Sequence, residues 1–159
     1  MSQSIHINTG IADKDRQKLK EILSGVLADT YLLYLKTQNF HWNVTGSHFS
    51  MLHELFEKQY EELAEAIDTL AERIRALNFV TPASFAQFLA LATLKEQSAV
   101  LDSDQMIQQL LYDHEVMTRT IRSVFADIAQ TDDKATEDML IERLEHHEKT
   151  AWMLRSLLS

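Results

Sequence analysis

Apolar residues recur along this chain at intervals of three and four over four long stretches, the spacing of helices that bury one face. The first stretch starts at Asp13, and Leu19, Ile22, Leu23, Val26, Leu27, Thr30, Leu33 and Tyr34 predict a helix reaching about Gln38. Asn39 to Gly46 is either its last turn or the following loop; Val-Thr-Gly suits a break, with Gly46 able to take a positive φ. A second long helix is expected over about 47–77, with Phe49, Leu52, Phe56, Leu63, Ile67, Leu70 and Ile74 as its apolar stripe. Asn78 to Ala83 holds the only proline and reads as a connection. Ser84 is placed to cap a short helix over 85–91, and residues 92–102 read as irregular. Asp102 or Ser103 then caps a third long helix over about 104–129, ended by the polar QTDD stretch. The fourth spans about 133–158, with Met139, Leu140, Leu144, Ala151, Leu154 and Leu158 inward and Trp152 and Met153 as core and contact residues. Residues 1–12 read as a short polar arm ahead of one domain, 13–159. The expectation is an all-α four-helix bundle in which one long middle connection, carrying a short extra helix, joins two antiparallel hairpins.

Composition narrows this without changing it. With 159 residues, 45% of them apolar, the chain suits one domain around one core. Three glycines and one proline are too few for the turns of a sheet protein. No uncharged apolar run reaches the roughly 18 residues that span a bilayer. The opening MSQSIHINTG lacks a basic segment followed by an apolar stretch, so no signal peptide is expected and the cytoplasm is the default location. The absence of cysteine excludes disulfides, thiolate metal sites and thiol catalysis. A formal net charge of −9 favours cations over polyanions as partners.

Candidate chemistry sits on the second helix. At 100° per residue, with His53 at 0°, Glu57 falls at about 40°, Asp68 at about 60° and Glu72 at about 100°, all beside the apolar stripe. Imidazole and carboxylate suit iron. Yet His53 and Asp68 are about 22 Å apart along the axis, so this helix alone cannot gather them on one metal. Their spacing is symmetric about the point between Glu62 and Leu63. In two antiparallel copies of the helix, His53 faces the partner's Glu72 and Glu57 faces the partner's Asp68. Ala64 and Ala71 share that face and allow close approach. An isologous dimer would thus form two identical sites. His41, twelve residues before His53, is the natural fifth member, since a helical hairpin folds it back toward the second helix. Taken singly, each of these residues is more often a solvated surface group.

Residues 39–77, NFHWNVTGSHFSMLHELFEKQYEELAEAIDTLAERIRAL, resemble the Dps family (DNA-binding protein from starved cells), the dodecameric mini-ferritins of the ferritin-like superfamily. The family pattern is Phe/Ile-His-Trp, a His twelve residues later, an acidic residue four further, and Asp-x-x-x-Glu followed by Arg. Here these are His41, His53, Glu57, Asp68, Glu72 and Arg73, and the likeness continues through DDKATEDML and HHEKTAWMLRSLL to cover about residues 12–158. The resemblance implies a ferritin-like bundle and a ferroxidase centre across a two-fold interface, with His41, His53 and Glu57 from one subunit and Asp68 and Glu72 from its mate. It implies oxidation of Fe(II) to Fe(III), typically by hydrogen peroxide and more slowly by dioxygen, with ferric mineral stored in a hollow dodecamer. Many members have Asp where this chain has Glu57, which leaves open whether that carboxylate binds iron directly, through water, or at a second iron. Asn43 and Trp42 are candidates to orient the histidine rings. The family's acidic pore near the start of the last helix corresponds to Asp132, Asp133 and Asp138, with Lys134 among them.

Two other readings compete. A nucleoid-associated DNA-binding protector with secondary iron oxidation would suit the family name, but no basic residue precedes Lys14 and no tail follows the last helix, so DNA binding is expected to be weak or absent. A haem-binding bacterioferritin would need Glu-x-x-His pairs on two helices, and no second pair matches that around Glu145 to Glu148. Of the remaining histidines, His146 and His147 point about 100° apart and cannot share one site, and His114, His48 and His6 have no evident partner set. Arg73 and Arg155 are expected in inter-subunit salt bridges.

Overall fold

The computed structural model describes residues 7–158. Most of the expected arm, with His6, and Ser159 lie outside the described residues. The chain forms α1 (Asp13–Asn43), α2 (Phe49–Ala76), α3 (Phe85–Leu91), α4 (Ser103–Ile128) and α5 (Lys134–Ser156), with no strand among the described residues. None of these helices is long and apolar enough to cross a membrane.

α1 and α2 pack as one hairpin, α4 and α5 as the other, and α1 lies against α4 and α3. The expected stripes meet in a single core: Leu19, Leu23, Leu27, Leu63, Leu70, Ile74, Leu110, Ile121 and Leu140 are all essentially inaccessible. Ion pairs tie the hairpins together. Lys36 meets Asp113 across the α1–α4 seam, and Arg143 meets Glu62 across the α2–α5 seam. Asp29, buried mid-way along α1, accepts the backbone N–H groups of Thr93 and Leu94 at 2.7 Å each, which pins the middle connection to the bundle. Burial pushes its carboxyl up, against the lowering effect of those two N–H groups.

The caps follow the expected chemistry. Ser84 accepts from the Gln87 N–H ahead of α3, Asp102 forms a reciprocal capping box with Gln105, and Gly46 has φ +108° in the α1–α2 turn. One open alternative is settled: Asn39 to Asn43 form the last turn of α1, because Leu33, Thr37, Phe40 and Val44 extend the buried face to its end. Three expectations are revised. Trp152 and Met153 stand outward, 61% and 41% exposed, rather than in the core. Phe49 is 42% exposed and stacks on His53 instead of joining the inner stripe. Arg73 and Arg155 find partners inside the chain, in Asp133 and Glu115.

Candidate metal centre

The longer α1 carries His41 on a regular helical turn facing α2. There the two histidines cross-bond: His41 Nδ1 lies 2.8 Å from the His53 carbonyl oxygen, and His53 Nδ1 lies 2.8 Å from the His41 carbonyl oxygen. A carbonyl only accepts, so both Nδ1 atoms must carry the proton and donate. Both Nε2 atoms are then left with lone pairs, the form in which imidazole binds a metal. The rings stack at 3.8 Å between centroids and 19° between planes. Phe49 covers the outer side of His53 at 5.1 Å, and Tyr60 meets His41 edge-on at 5.2 Å. His41 is 7% exposed while His53 is half-buried, so the pair is anchored inside and open at its rim.

The expected orienting residues do other work. The Asn43 amide donates to the Asn39 carbonyl and side chain, and Trp42 is 61% exposed. The histidines orient each other through their backbones, an arrangement that residue spacing does not announce. Tyr60 was also not singled out from the sequence. Its signal was there: seven residues past His53, it sits within about 20° of it on the helix face. Partial burial, then the nearby Glu57 and Glu61 carboxylates, hold its phenol above the usual value.

The acidic members stand apart from the histidine pair. Glu57 is half-buried one turn beyond His53, whereas Asp68 and Glu72 are exposed far along α2. Within the single chain no group of three or more His, Asp or Glu side chains among the described residues is close enough to hold a metal ion. Ala64 is exposed and Ala71 half-buried on the same helix.

The three pore candidates separate. Asp138 is exposed and borders a shallow hollow with Lys134, Glu137 and Ile141; Asp132 is exposed in the turn before α5. Asp133 does not belong with them. It is 5% exposed, caps α5 by accepting from Thr136 N, and holds both carboxylate oxygens against Arg73 at 2.7–2.8 Å. Burial pushes its carboxyl up, but the bonds from Thr136 and Arg73 outweigh that and hold it below the usual range.

A second histidine pair emerges where sequence spacing indicated none. His114 of α4 and His147 of α5 are buried, with their Nδ1 atoms 2.9 Å apart and neither Nε2 hydrogen-bonded. Burial drives His114 down to about 3 and His147 well below its ordinary value; the Arg143 charge adds to both, and the two rings also oppose each other's protonation in His147. Unfolded, both titrate near their ordinary value, so between about pH 6.5 and 3 the unfolded chain binds more protons. Stability must therefore fall as pH drops through that window, by up to ~1.4 kcal/mol per pH unit per histidine. The urea midpoint is expected to decline from pH 7 to 5, and the His114→Leu/His147→Leu double variant to flatten that decline; equal slopes would refute the assignment.

The comparisons agree with this architecture. Residues 20–159 match the family described as Ferritin-like domain. An uncharacterised low temperature-induced protein of Nostoc sp. (strain PCC 7120) is 43% identical over 96% of this chain and 86% of its own length. DNA protection during starvation protein 2 of Bacillus anthracis is 34% identical over 87% of this chain and 95% of that one. Among solved structures, the Dps protein of Vibrio cholerae O1, described as a member of a broad superfamily of ferritin-like diiron-carboxylate proteins, superposes with a TM-score of 0.92 at 31% identity, covering 99% of this chain and 100% of the other. The chain belongs to the Dps proteins of the ferritin-like family.

Proposed function

We propose that the protein is a ferroxidase and iron-storage protein that oxidises Fe(II) to Fe(III), preferentially with hydrogen peroxide, at sites shared between two subunits of a hollow dodecamer. The observation that carries this reading is the crossed His41–His53 pair, whose Nδ1 bonds leave both Nε2 lone pairs available to a metal. That is the nitrogen half of an iron site. Asp68 and Glu72, exposed one turn apart, are a carboxylate half that no third His, Asp or Glu among the described residues of their own chain completes into a metal site. A two-fold axis across the middle of α2 joins the halves and brings Glu57 beside the partner copy's acidic pair. An apolar hollow between α1 and α3 supports a subunit contact near this end of α1: Leu35, Trp42, Phe85 and Leu89 line it together and are 39–65% exposed, a surface that monomers rarely leave contiguous.

Iron is substrate here. The imidazoles and carboxylates bind Fe(II) from opposite sides, the carboxylates offset the charge that grows on oxidation, and open positions admit the oxidant. Two Fe(II) ions supply the two electrons that, with two protons, convert one peroxide to two waters. Consuming ferrous iron and peroxide together withholds the ingredients of hydroxyl radical, which is the protective role. Asp138, with Asp132, is the proposed lining of the iron passage, and the cytoplasm is the proposed location. Adding Fe(II) anaerobically and then peroxide or air tests the reading: oxidation should outpace a protein-free control, most strongly with peroxide, and no acceleration by either oxidant would sink it.

Direct protection of DNA is the second reading, favoured by the name of the Bacillus anthracis relative. A net charge of −9 per chain makes the phosphate contribution small or repulsive. Supercoiled plasmid is expected to run unshifted at neutral pH and physiological salt; a tight, salt-sensitive complex would reverse this expectation.

A further inference from the structure

Glu72, one of the two exposed carboxylates of the proposed centre, is followed at once by a cation. On the two-fold pairing proposed above, Arg73 stands one residue on from the point where Glu72 meets the partner's His53. A guanidinium on a long, jointed side chain can swing from there into the place where Fe(II) must sit. The structure holds it elsewhere. Arg73 Nη2 donates to both Asp133 carboxylate oxygens, at 2.8 and 2.7 Å, and Arg73 Nε donates to Thr136 Oγ1 at 3.0 Å. Thr136 Oγ1 in turn donates to Asp133 Oδ2 at 2.5 Å, which closes the ring. Asp133 and Thr136 are both buried. The turn that presents Asp133 is built without Arg73. Thr131 Oγ1 donates to the Ile128 carbonyl and accepts from the Asp133 N–H, and Asp132 takes a left-handed φ of +55°, a conformation that aspartate tolerates better than most residues.

Fastening α5 to α2 does not by itself call for a buried ion pair, because apolar residues of similar volume often do so at no loss of stability. A charged clamp adds two things: it fixes where the guanidinium points, and it cancels its charge. We infer that Asp133 is a positioning residue for the iron centre, holding Arg73 out of it and neutralising that cation beside Glu72. This rests on the ferroxidase reading. The two imidazoles of the proposed site are neutral, so its pull on Fe(II) comes from Glu57, Asp68 and Glu72. One loose guanidinium offsets one of those three carboxylates and occupies space the ion needs. Asp133 thus serves the centre without touching iron, from the same acidic turn in which Asp132 and Asp138 stand exposed.

Two measurements on the assembled protein test this: steady-state Fe(II) oxidation with peroxide, and anaerobic titration with Co(II) followed by its visible absorption. Asp133→Asn keeps the shape and the helix cap and removes only the charge. It is expected to raise KM for Fe(II) roughly tenfold or more, the scale of one full charge a few ångströms away near a protein surface, with kcat little changed. Co(II) affinity should fall in step. Adding Arg73→Gln to that variant is expected to return both to the wild-type range, although the clamp is still broken. Arg73→Gln alone should bind Co(II) no more weakly than the wild type. A clamp that acts only through structure predicts otherwise, because the double variant lacks the same contacts as the single one. A double variant as weak as Asp133→Asn, or a wild-type KM in Asp133→Asn, would overturn the inference. Should Asp133→Asn fail to assemble, Arg73→Gln decides alone: binding weakened tenfold there would overturn it, and undiminished binding would uphold it. The outcomes separate the two proposals. Co(II) affinities in the expected order without any acceleration of Fe(II) oxidation reject the ferroxidase reading and keep the role of Asp133, whereas accelerated oxidation with a wild-type KM in Asp133→Asn does the opposite.

Discussion

Co-assembling His53→Ala subunits with Glu72→Ala subunits is expected to restore iron oxidation that neither variant has alone. On the proposed shared site, each homogeneous variant would lose a direct ligand in every site. Its rate should therefore fall by more than the roughly 10–100-fold that disturbing an outer-shell partner costs. In a mixed dimer the two lesions fall in the same site, and the other site combines the intact His41–His53 pair of one subunit with the intact Asp68 and Glu72 of the other. Up to half the wild-type rate should return in dimers of mixed composition. A centre contained within one chain would show no recovery, because every subunit would still carry its own lesion. The measurement is initial Fe(II) oxidation with peroxide in co-expressed, doubly tagged assemblies. Mixed assemblies as inactive as their parents would exclude the shared site.

Asp113→Ala is expected to be among the most damaging substitutions for stability. The Lys36 and Asp113 side chains are 3% and 2% exposed and meet at 2.5 Å across the α1–α4 seam. Gln109 gives Asp113 a further hydrogen bond at 3.0 Å. Burial pushes the Asp113 carboxyl up, and Lys36 opposes that shift by hydrogen bond and charge. Removing the carboxylate strands an ammonium group in the core, which costs about 3–5 kcal/mol. That is a large share of the about 5–15 kcal/mol that holds a typical domain together. The pair itself is not expected to be a net stabiliser: Lys36→Met with Asp113→Leu should recover most of the loss. Urea midpoints at fixed protein concentration measure both, since assembly makes stability concentration-dependent. A double variant as unstable as Asp113→Ala would show that the loss came from packing rather than an unpaired charge.

The helices were legible because each carries its own instructions. Leu19 to Tyr34 and Leu52 to Ile74 keep a helical period regardless of what they pack against, and Ser84 and Asp102 cap through groups three residues away. The ends were less legible. Whether α1 stops near Gln38 or runs to Asn43 depends on Phe40 and Val44 finding a core across the hairpin, and nothing local fixes that. Charged partners were least legible. Arg73 reads from sequence as a surface cation reaching for another subunit, but its guanidinium meets Asp133 sixty residues away. Asp133 in turn reads as one more acid in a polar run until its burial and that contact remove it from the pore candidates.

By itself the sequence determined the bundle, the placement of His53, Glu57, Asp68 and Glu72 along one helix, and the Dps pattern that includes His41. These follow from helical periodicity and side-chain chemistry, which act within a few residues. The tertiary structure decided what depends on distant segments meeting. It locked His41 and His53 into one tautomer through each other's carbonyls, set Tyr60, Tyr34 and Tyr31 in a row behind them, and buried His114 against His147. All of these contacts except Tyr34–Tyr31, one turn apart on α1, join residues of different helices, and their geometry exists only once the core has fixed how those helices lie together.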